Sequence, residues 1–217
     1  MKDLKVGIID YGCGNIKSIK GALKHLGIIK TVLVNSENEI KVCDCLILPG
    51  VGAYGHAMKR LNANNLIMPI KKFVYDGGYI LGICLGMQLL FDRSYEMGTF
   101  DGLGLISGTV KKLKKSDDNN FKLPNIGWYS IDKKTNEYQS NNFLMKKDLI
   151  NFYYFVHSYV AFPNEQKNII ASSSYSGEAF AAVVKKNNVY GTQFHPEKSG
   201  QAGLNILHNF LKIVMKT

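Results

Sequence analysis

The chain has 217 residues, of which 46% are hydrophobic and 20% are charged, enough for one globular domain with a buried core. It has no apolar run of about 18 residues, and its start leads into a strand-like segment at Leu4 without a signal-peptide core, so we expect a cytoplasmic protein that does not cross a membrane. The formal net charge of +10 comes from scattered lysines with only two arginines, a composition that does not favour nucleic-acid recognition but leaves open an anionic small substrate or an acidic partner.

The first half of the chain alternates predicted strands with predicted helices. Strands are predicted in four apolar segments: Leu4–Asp10, Thr31–Val34, Cys45–Leu48 and Tyr79–Ile83. Helices are predicted in four segments: Ile16–Leu26 after the capping residue Asn15, a helix from about Ala53, Ile67–Tyr75 and a helix from about Leu85. Near-continuous apolar strands in this rhythm predict a doubly wound α/β fold, with a mostly parallel central sheet flanked by helices.

The second half has a different pattern. Residues 105–113 are strand-like, residues 114–122 are a polar surface loop, and Phe152–Phe162 reads as one long aromatic strand. Residues 178–194 read as a hairpin that turns at Lys186–Asn188, and a closing helix carries an apolar stripe at Leu204, Leu207, Leu211 and Val214. We therefore expect a smaller antiparallel sheet beside the central one, within a single domain spanning residues 1–217.

Two glycine-rich turns follow predicted parallel strands, where ligands bind in open α/β sheets: Pro49–Gly52 and Gly82–Gly86. The second reads Gly-Ile-Cys-Leu-Gly, the form of a nucleophile elbow, in which small residues relieve the crowding of a sharp strand-to-helix turn. The start of a helix favours thiolate over thiol, and the Leu85 N–H is aimed where an oxyanion would form. We predict that Cys84 is a nucleophile; the alternative is a buried cysteine in a tight turn.

The spacing of the four cysteines matches neither a disulfide framework nor a zinc site. We expect reduced thiols throughout and no metal, with Cys43 and Cys45 as packing or surface residues that, being two apart, point the same way on a strand.

A cysteine nucleophile needs a base, and the base needs an orienting group. Of the five histidines, His25 and His208 are expected at the surface and His157 in the core. His195 follows an apolar strand in the run Phe-His-Pro-Glu, and Pro196 favours extended backbone at His195. Residues two apart in extended chain face the same side, so Glu197 can hold one ring nitrogen of His195 and leave the other toward a thiol.

These residues resemble the class I (triad) glutamine amidotransferases, in the motifs PGVG, GICLGMQLLF and GTQFHPEKS. The opening IIDYGCGNIKSI, the later GLGLI and YFVHSY are similar to one branch of that family, the glutaminase subunits of imidazole glycerol phosphate synthase. The resemblance covers nearly the whole chain. It implies hydrolysis of glutamine at a Cys84–His195–Glu197 triad, no cofactor, and a heterodimer with a cyclase subunit that uses the ammonia for histidine biosynthesis.

The resemblance also assigns the surrounding residues. The N–H groups of Leu85 and of Val51 or Gly52 would hold the oxyanion. Gln88, Glu96 and the backbone at Ser158 and Tyr159 would hold the substrate. Candidates for the partner-facing edge are Trp128, Tyr129 and, less strongly, Lys198. In this segment these subunits usually have His and Asn where this chain has Asn125 and Tyr129, which leaves the synthase partner open.

Three alternatives follow from what the motifs leave undecided. The same chemistry could serve a different synthase, for example one that aminates a nucleotide-linked sugar. A cysteine hydrolase of peptides or γ-glutamyl conjugates is a second alternative, against which Gln88 and the His-Pro-Glu run argue. A regulatory module that has kept the fold is the third, and the filled triad argues against it.

Overall fold

The computed structural model describes residues 3–114, 121–133, 143 and 151–216, so most of the predicted polar loop at 114–122 lies outside the described residues. The helices are α1 Ile16–His25, α2 Glu37–Ile40, α3 Tyr54–Ala63, α4 Ile67–Tyr75, α5 Leu85–Leu89 and α6 Gly200–Val214. The strands are β1 Lys5–Ile9, β2 Lys30–Val34, β3 Cys45–Leu48, β4 Tyr79–Ile83, β5 Phe91–Ser94, β6 Phe100–Asp101, β7 Ile106–Lys112, β8 Asn125–Ser130, β9 Asp132–Lys133, β10 Phe152–His157, β11 Tyr159–Pro163, β12 Ile169–Tyr175, β13 Glu178–Lys186 and β14 Val189–Thr192.

The strands form one large sheet and two small ones. The large sheet has the order β2-β1-β3-β4-β14-β13-β12-β9. Its first five strands are parallel, and β13, β12 and β9 extend it antiparallel. The sheet β11-β7-β5-β6 contains one parallel pair, and β8 and β10 form an antiparallel ribbon. The predicted α/β fold with a mostly parallel central sheet and a smaller sheet is confirmed.

Both faces of the large sheet are buried, which explains its near-continuous apolar strands. In β3, Cys45 and Ile47 pack with α1 and α6 on one face, whereas Leu46 and Leu48 pack with α3 and α4 on the other. Alternation of side chains across the strand makes this division. The carboxyl ends of β3, β4 and β14 therefore meet at one edge, and the turns after them are brought together there.

The predicted elements of the first half are confirmed, as are the hairpin of β13 and β14 and the closing helix α6. Two interpretations are wrong. The segment Phe152–Phe162 is not one strand: it breaks at Ser158, so that β10 pairs with β8 whereas β11 pairs with β7. Cys43 and Cys45 do not share a face, because Cys43 precedes β3 and packs on the opposite side of the sheet. All four cysteines are free thiols.

Within the described ranges, no helix is both long enough and apolar enough to cross a membrane.

Two glycines, one within α1 and one just after it, give a matched test of backbone conformation, because a Cβ atom on either would meet nothing within 4 Å. Gly21 lies within the helix, so Gly21→Ala should raise the free energy of unfolding by roughly 0.5–1 kcal/mol. Gly27 ends the helix at φ +81°, so Gly27→Ala should lower it by about 1 kcal/mol or more. Urea denaturation of the two variants measures both changes in the free energy of unfolding. Changes of the same sign would contradict a helix that ends at Gly27.

Candidate active site

Cys84 stands at a sharp turn between β4 and α5. Its backbone has φ 54° and ψ −112°, in a region that non-glycine residues rarely adopt. Its N–H donates to the Thr192 carbonyl at 2.8 Å, which ties the turn to the end of β14. The strained residue is thus held from a neighbouring strand as well as from its own.

The glycines around Cys84 have no room for side chains. A Cβ atom on Gly86 would lie 1.8 Å from the Leu48 carbonyl oxygen, and one on Gly82 would lie 2.7 Å from the Gly86 oxygen. A Cβ atom on Gly50, in the other glycine-rich turn, would lie 2.8 Å from the Gly86 nitrogen. The predicted crowding of the elbow is confirmed, and the Pro49–Gly52 turn is packed directly against it.

His195 and Glu197 form a buried pair at the end of β14. The His195 Nδ1 atom lies 2.8 Å from the Glu197 Oε1 atom, with 2% and 1% of the two side chains exposed. The His195 Nε2 atom is buried and forms no hydrogen bond with a described protein atom. The carboxylate therefore fixes the ring through Nδ1 and leaves Nε2 for proton transfer, as the sequence predicts.

Strand β10 fixes the backbone of His195. The His195 N–H donates to the Tyr154 carbonyl at 2.9 Å. The Ser199 hydroxyl donates to the His195 carbonyl at 2.6 Å and accepts from the Tyr154 N–H at 3.0 Å. His195 is thereby attached to β10 through its backbone N–H directly and through its carbonyl by way of Ser199.

Electrostatics favour a protonated His195. Burial lowers the pKa of its imidazole, but the interactions with Cys84 and Glu197 outweigh burial and raise that pKa well above its usual value. An imidazolium at this position stabilises a neighbouring thiolate. The helix dipole contributes less to stabilising a thiolate at Cys84 than the sequence suggests, since α5 has only five residues.

The predicted catalytic and substrate residues, apart from Glu197 behind His195, surround a single cleft of about 270 Å³. Its lining includes Val51, Gly52, Cys84, Leu85, Gln88, Glu96, Ser158, Tyr159 and His195. Val156 and His157 complete the wall. Within the described part of the chain, no group of three His, Cys, Asp or Glu side chains is arranged to hold a metal ion.

Two cleft side chains are already hydrogen-bonded to the protein. The Gln88 amide nitrogen donates to the Tyr159 carbonyl at 2.8 Å. One Glu96 carboxylate oxygen accepts from the Tyr54 N–H at 2.7 Å, at the start of α3. Burial raises the pKa of Glu96, and the Tyr54 hydrogen bond opposes that rise.

The three predicted partner-facing residues lie near β8 and β10 but do not point the same way. Trp128 is 52% exposed and its ring packs against Tyr154 at 5.8 Å. Lys198 is exposed, with its Nζ atom 5.9 Å from the same Tyr154 ring. Tyr129 is half-buried and packs edge-on against Phe155 and Tyr175.

Sequence reasoning missed Gln193 and the pair Asn125–His157. Gln193 is fully buried, and its amide nitrogen lies 3.8 Å from the Cys84 sulfur. It stands two residues before His195 in extended chain, a spacing that could have indicated it. The Asn125 amide nitrogen lies 3.2 Å from the His157 Nε2 atom, within the cross-strand register of β8 and β10.

Comparisons with known proteins agree on one family. The model of the class I glutamine amidotransferases matches residues 7–214. A relative named imidazole glycerol phosphate synthase subunit HisH 1, from Legionella pneumophila strain Lens, is 43% identical over 96% of this chain and 99% of its own length. The HisH subunit of Bacillus subtilis strain 168 is 43% identical over 96% of both chains. A crystal structure of a glutamine amidotransferase, 18% identical, has the same fold, with a TM-score of 0.74 over 97% of this chain and 98% of that one.

His157 should make the protein less stable in acid. Burial lowers the pKa of its imidazole from 6.5 to about 3, so at intermediate pH the unfolded chain binds a proton that the folded chain does not. Stability must therefore fall as pH drops below about 6. In His157→Gln the slope of unfolding free energy should be smaller by about 1.4 kcal/mol per pH unit between about pH 4 and 6. Denaturant unfolding across this range measures both slopes, and parallel slopes would show that His157 is not held neutral.

Proposed function

The chain belongs to the class I glutamine amidotransferase family, and from this we propose that it is the glutaminase subunit of imidazole glycerol phosphate synthase. It hydrolyses L-glutamine to glutamate and ammonia and passes the ammonia to a cyclase subunit in histidine biosynthesis. We propose further that residues 1–217 form one glutaminase domain and that it works in the cytoplasm. The observation that carries the proposal is Cys84, on its strained turn, lining one cleft with a His195 that Glu197 orients.

The proposed reaction begins with attack of the Cys84 thiolate on the side-chain amide carbon of glutamine. A carbon–sulfur bond forms and the carbonyl electrons move to oxygen. His195 then gives its Nε2 proton to the leaving nitrogen, and ammonia departs to leave a thioester. His195 next takes a proton from water as the water attacks the thioester. Collapse of the second oxyanion releases glutamate and returns the thiolate and the imidazolium.

The oxyanion would be held by the N–H of Leu85 and by one from the Pro49–Gly52 turn. Leu85 is the first residue of α5, where an N–H has no partner within the helix. The Tyr11 hydroxyl donates to the Pro49 carbonyl at 2.7 Å, which fixes the peptide between Pro49 and Gly50. Gly52 has φ +95° and open space around it. We therefore expect any change in the second donor to occur beyond this fixed peptide, at the N–H of Val51 or Gly52, where docking of a partner would act.

The glutamine side chain would reach Cys84 while its polar end is bound elsewhere in the cleft. We propose that Gln88, Glu96 and the backbone at Ser158 and Tyr159 bind that end. Both N–H groups of Gln88 are used inside the protein, at Tyr159 and Gln193, so its amide oxygen is the atom left to accept from a ligand. A half-buried carboxylate at Glu96 suits an ammonium group.

The proposed docking surface is the outer face of the ribbon formed by β8 and β10: Ile126, Trp128, Phe152 and Tyr154, with Lys198 beside it. Three of these apolar side chains are more than half exposed. Exposed aromatic side chains next to a cleft are typical of protein–protein interfaces. Side chains alternate along β8, so the unusual residues Asn125 and Tyr129 point inward, away from this face. The departure from the usual pattern thus lies inside the protein.

The same ribbon reaches the catalytic residues. Tyr154 holds the backbone of His195, the Val156 carbonyl accepts from the Cys84 thiol at 3.7 Å, and β10 ends beside the substrate residue Ser158. Docking on the outer face of β8 and β10 would therefore act on the cleft through one strand.

Cys84→Ala should abolish glutamine hydrolysis and glutamine-dependent synthase activity, because no other thiol stands on the elbow. Synthase activity supplied with ammonium should survive, since the cyclase chemistry lies on the partner. Glutamate release and product formation by the reconstituted complex measure the two activities. Glutamine turnover by Cys84→Ala at the wild-type rate would remove Cys84 from its role, and loss of the ammonium-dependent activity would indicate a damaged complex.

Trp128→Ala should weaken binding of the cyclase subunit by about tenfold or more, because buried Trp side chains dominate interface energies. The control is Tyr75→Ala, which removes a 71% exposed aromatic side chain at the end of α4, outside the docking surface. Titration of the partner, followed by the rise in glutaminase rate, gives both affinities. Equal affinities for the two variants would place the partner elsewhere.

A further inference from the structure

We propose that Gln193 is a further residue of the active site: its amide N–H donates to the Cys84 sulfur while its amide oxygen orients Gln88. The inference rests on the proposed glutaminase function, since it assigns a role at the same cleft. Gln193 directly follows β14 and is completely buried. It touches the nucleophile on one side and a cleft-lining side chain on the other.

The hydrogen bonds fix which way the Gln193 amide points. A backbone carbonyl only accepts, so the group of Gln88 that lies 2.8 Å from the Tyr159 carbonyl must be its NH₂. The second N–H of that NH₂ donates at 3.1 Å to Gln193, which must therefore present its oxygen. The Gln193 NH₂ is left on the far side, 3.8 Å from the Cys84 sulfur. The Tyr159 carbonyl thus determines the orientation of both side-chain amides, that of Gln88 and that of Gln193.

A donor beside the sulfur matters because the other neutral neighbour favours the thiol. The Val156 carbonyl accepts from the thiol at 3.7 Å and would be repelled by a thiolate. An N–H on the opposite side reverses that preference, because a hydrogen bond to the charged form stabilises the charged form. The five-residue helix α5 provides little dipole to do so. Gln193 therefore shares with His195 the stabilisation of the thiolate.

Several titratable groups face the sulfur or its partner and act together with this amide. His195 and Glu197 follow β14, His157 ends β10, and Tyr11 follows β1. Glu96 and Tyr159 line the rest of the cleft. Gln193 is neutral at every pH, so its effect is a shift in the reactivity of Cys84 and adds no titration of its own.

The two hydrogen bonds of Gln193 also link Cys84 to the substrate side of the cleft. Gln193 occupies one N–H of Gln88 and Tyr159 occupies the other, so the Gln88 oxygen is held toward the cavity. Loss of the Gln193 oxygen would free the Gln88 amide to turn. We therefore expect removal of Gln193 to raise the KM for glutamine in addition to changing the thiol.

The test is alkylation of Cys84 by iodoacetamide over a series of pH values, followed by peptide mass spectrometry. This reaction needs no glutamine, so its outcome is independent of the proposed glutaminase activity. Gln193→Met keeps the length of the side chain and removes donor and acceptor. The midpoint of the alkylation profile should rise by about one pH unit, since the thiolate loses a hydrogen bond. In the complex, KM for glutamine should rise about tenfold or more.

The matched control is Asn209→Leu, which removes another buried amide. Asn209 lies on α6, outside the cleft, and its side-chain nitrogen donates to the Phe143 carbonyl at 3.1 Å. Its alkylation midpoint should equal that of the wild type. A folded Gln193→Met with the wild-type midpoint would overturn the proposal, as would an equal shift in Asn209→Leu. If Gln193→Met does not fold, Gln193→Leu decides, because it also removes donor and acceptor: the midpoint should again rise by about one unit, and an unchanged midpoint overturns the proposal.

Discussion

The carboxylate of Glu197 is buried, and among the described residues its one hydrogen-bonded contact is the imidazole of His195 at 2.8 Å; its other oxygen has no partner. A desolvated carboxylate with so little support strongly favours a positive charge beside it. The buried Glu197 carboxylate therefore stabilises the protonated form of His195. Cys84 and Glu197 together raise the pKa of the His195 imidazole above its usual value, and Tyr154 and Ser199 hold the backbone of His195 at the end of β14.

Close packing positions Cys84, whereas the hydrogen bond to Glu197 orients His195. Gly82 and Gly86 let the turn after β4 close on itself and on the backbone of Leu48. Because Gly50 packs against Gly86, the elbow and the start of the Pro49–Gly52 turn form one packed unit. Cys84 bears the strain of that arrangement in its left-handed backbone, and the hydrogen bond from its N–H to Thr192 connects it with the strand that ends at the base.

Much of this arrangement could be predicted from the sequence because local signals carried it. The elbow, the His-Pro-Glu run and the apolar strands of the first half each depend on neighbours in sequence. What failed depended on distant pairing. The apolar and aromatic composition of residues 152–162 continues across Ser158, and the division becomes clear only from the separate pairing partners β8 and β7. The brevity of α5 follows from the pairing of β5 with β7 directly after it. Gln193 was missed because its partners, Gln88 and Cys84, are about a hundred residues away in sequence.

Strand β10 carries both Phe152 and Tyr154 of the proposed docking surface and the Tyr154 carbonyl that holds the backbone of His195. The central claim, that Cys84 is the nucleophile of a glutamine site, is tested most directly by a glutamine-analogue electrophile and mass spectrometry of all four cysteines. We expect one adduct, on Cys84, formed before any at Cys13, Cys43 or Cys45 and prevented by excess L-glutamine. An adduct on another cysteine with Cys84 unmodified, or labelling of Cys84 that glutamine does not slow, would contradict it.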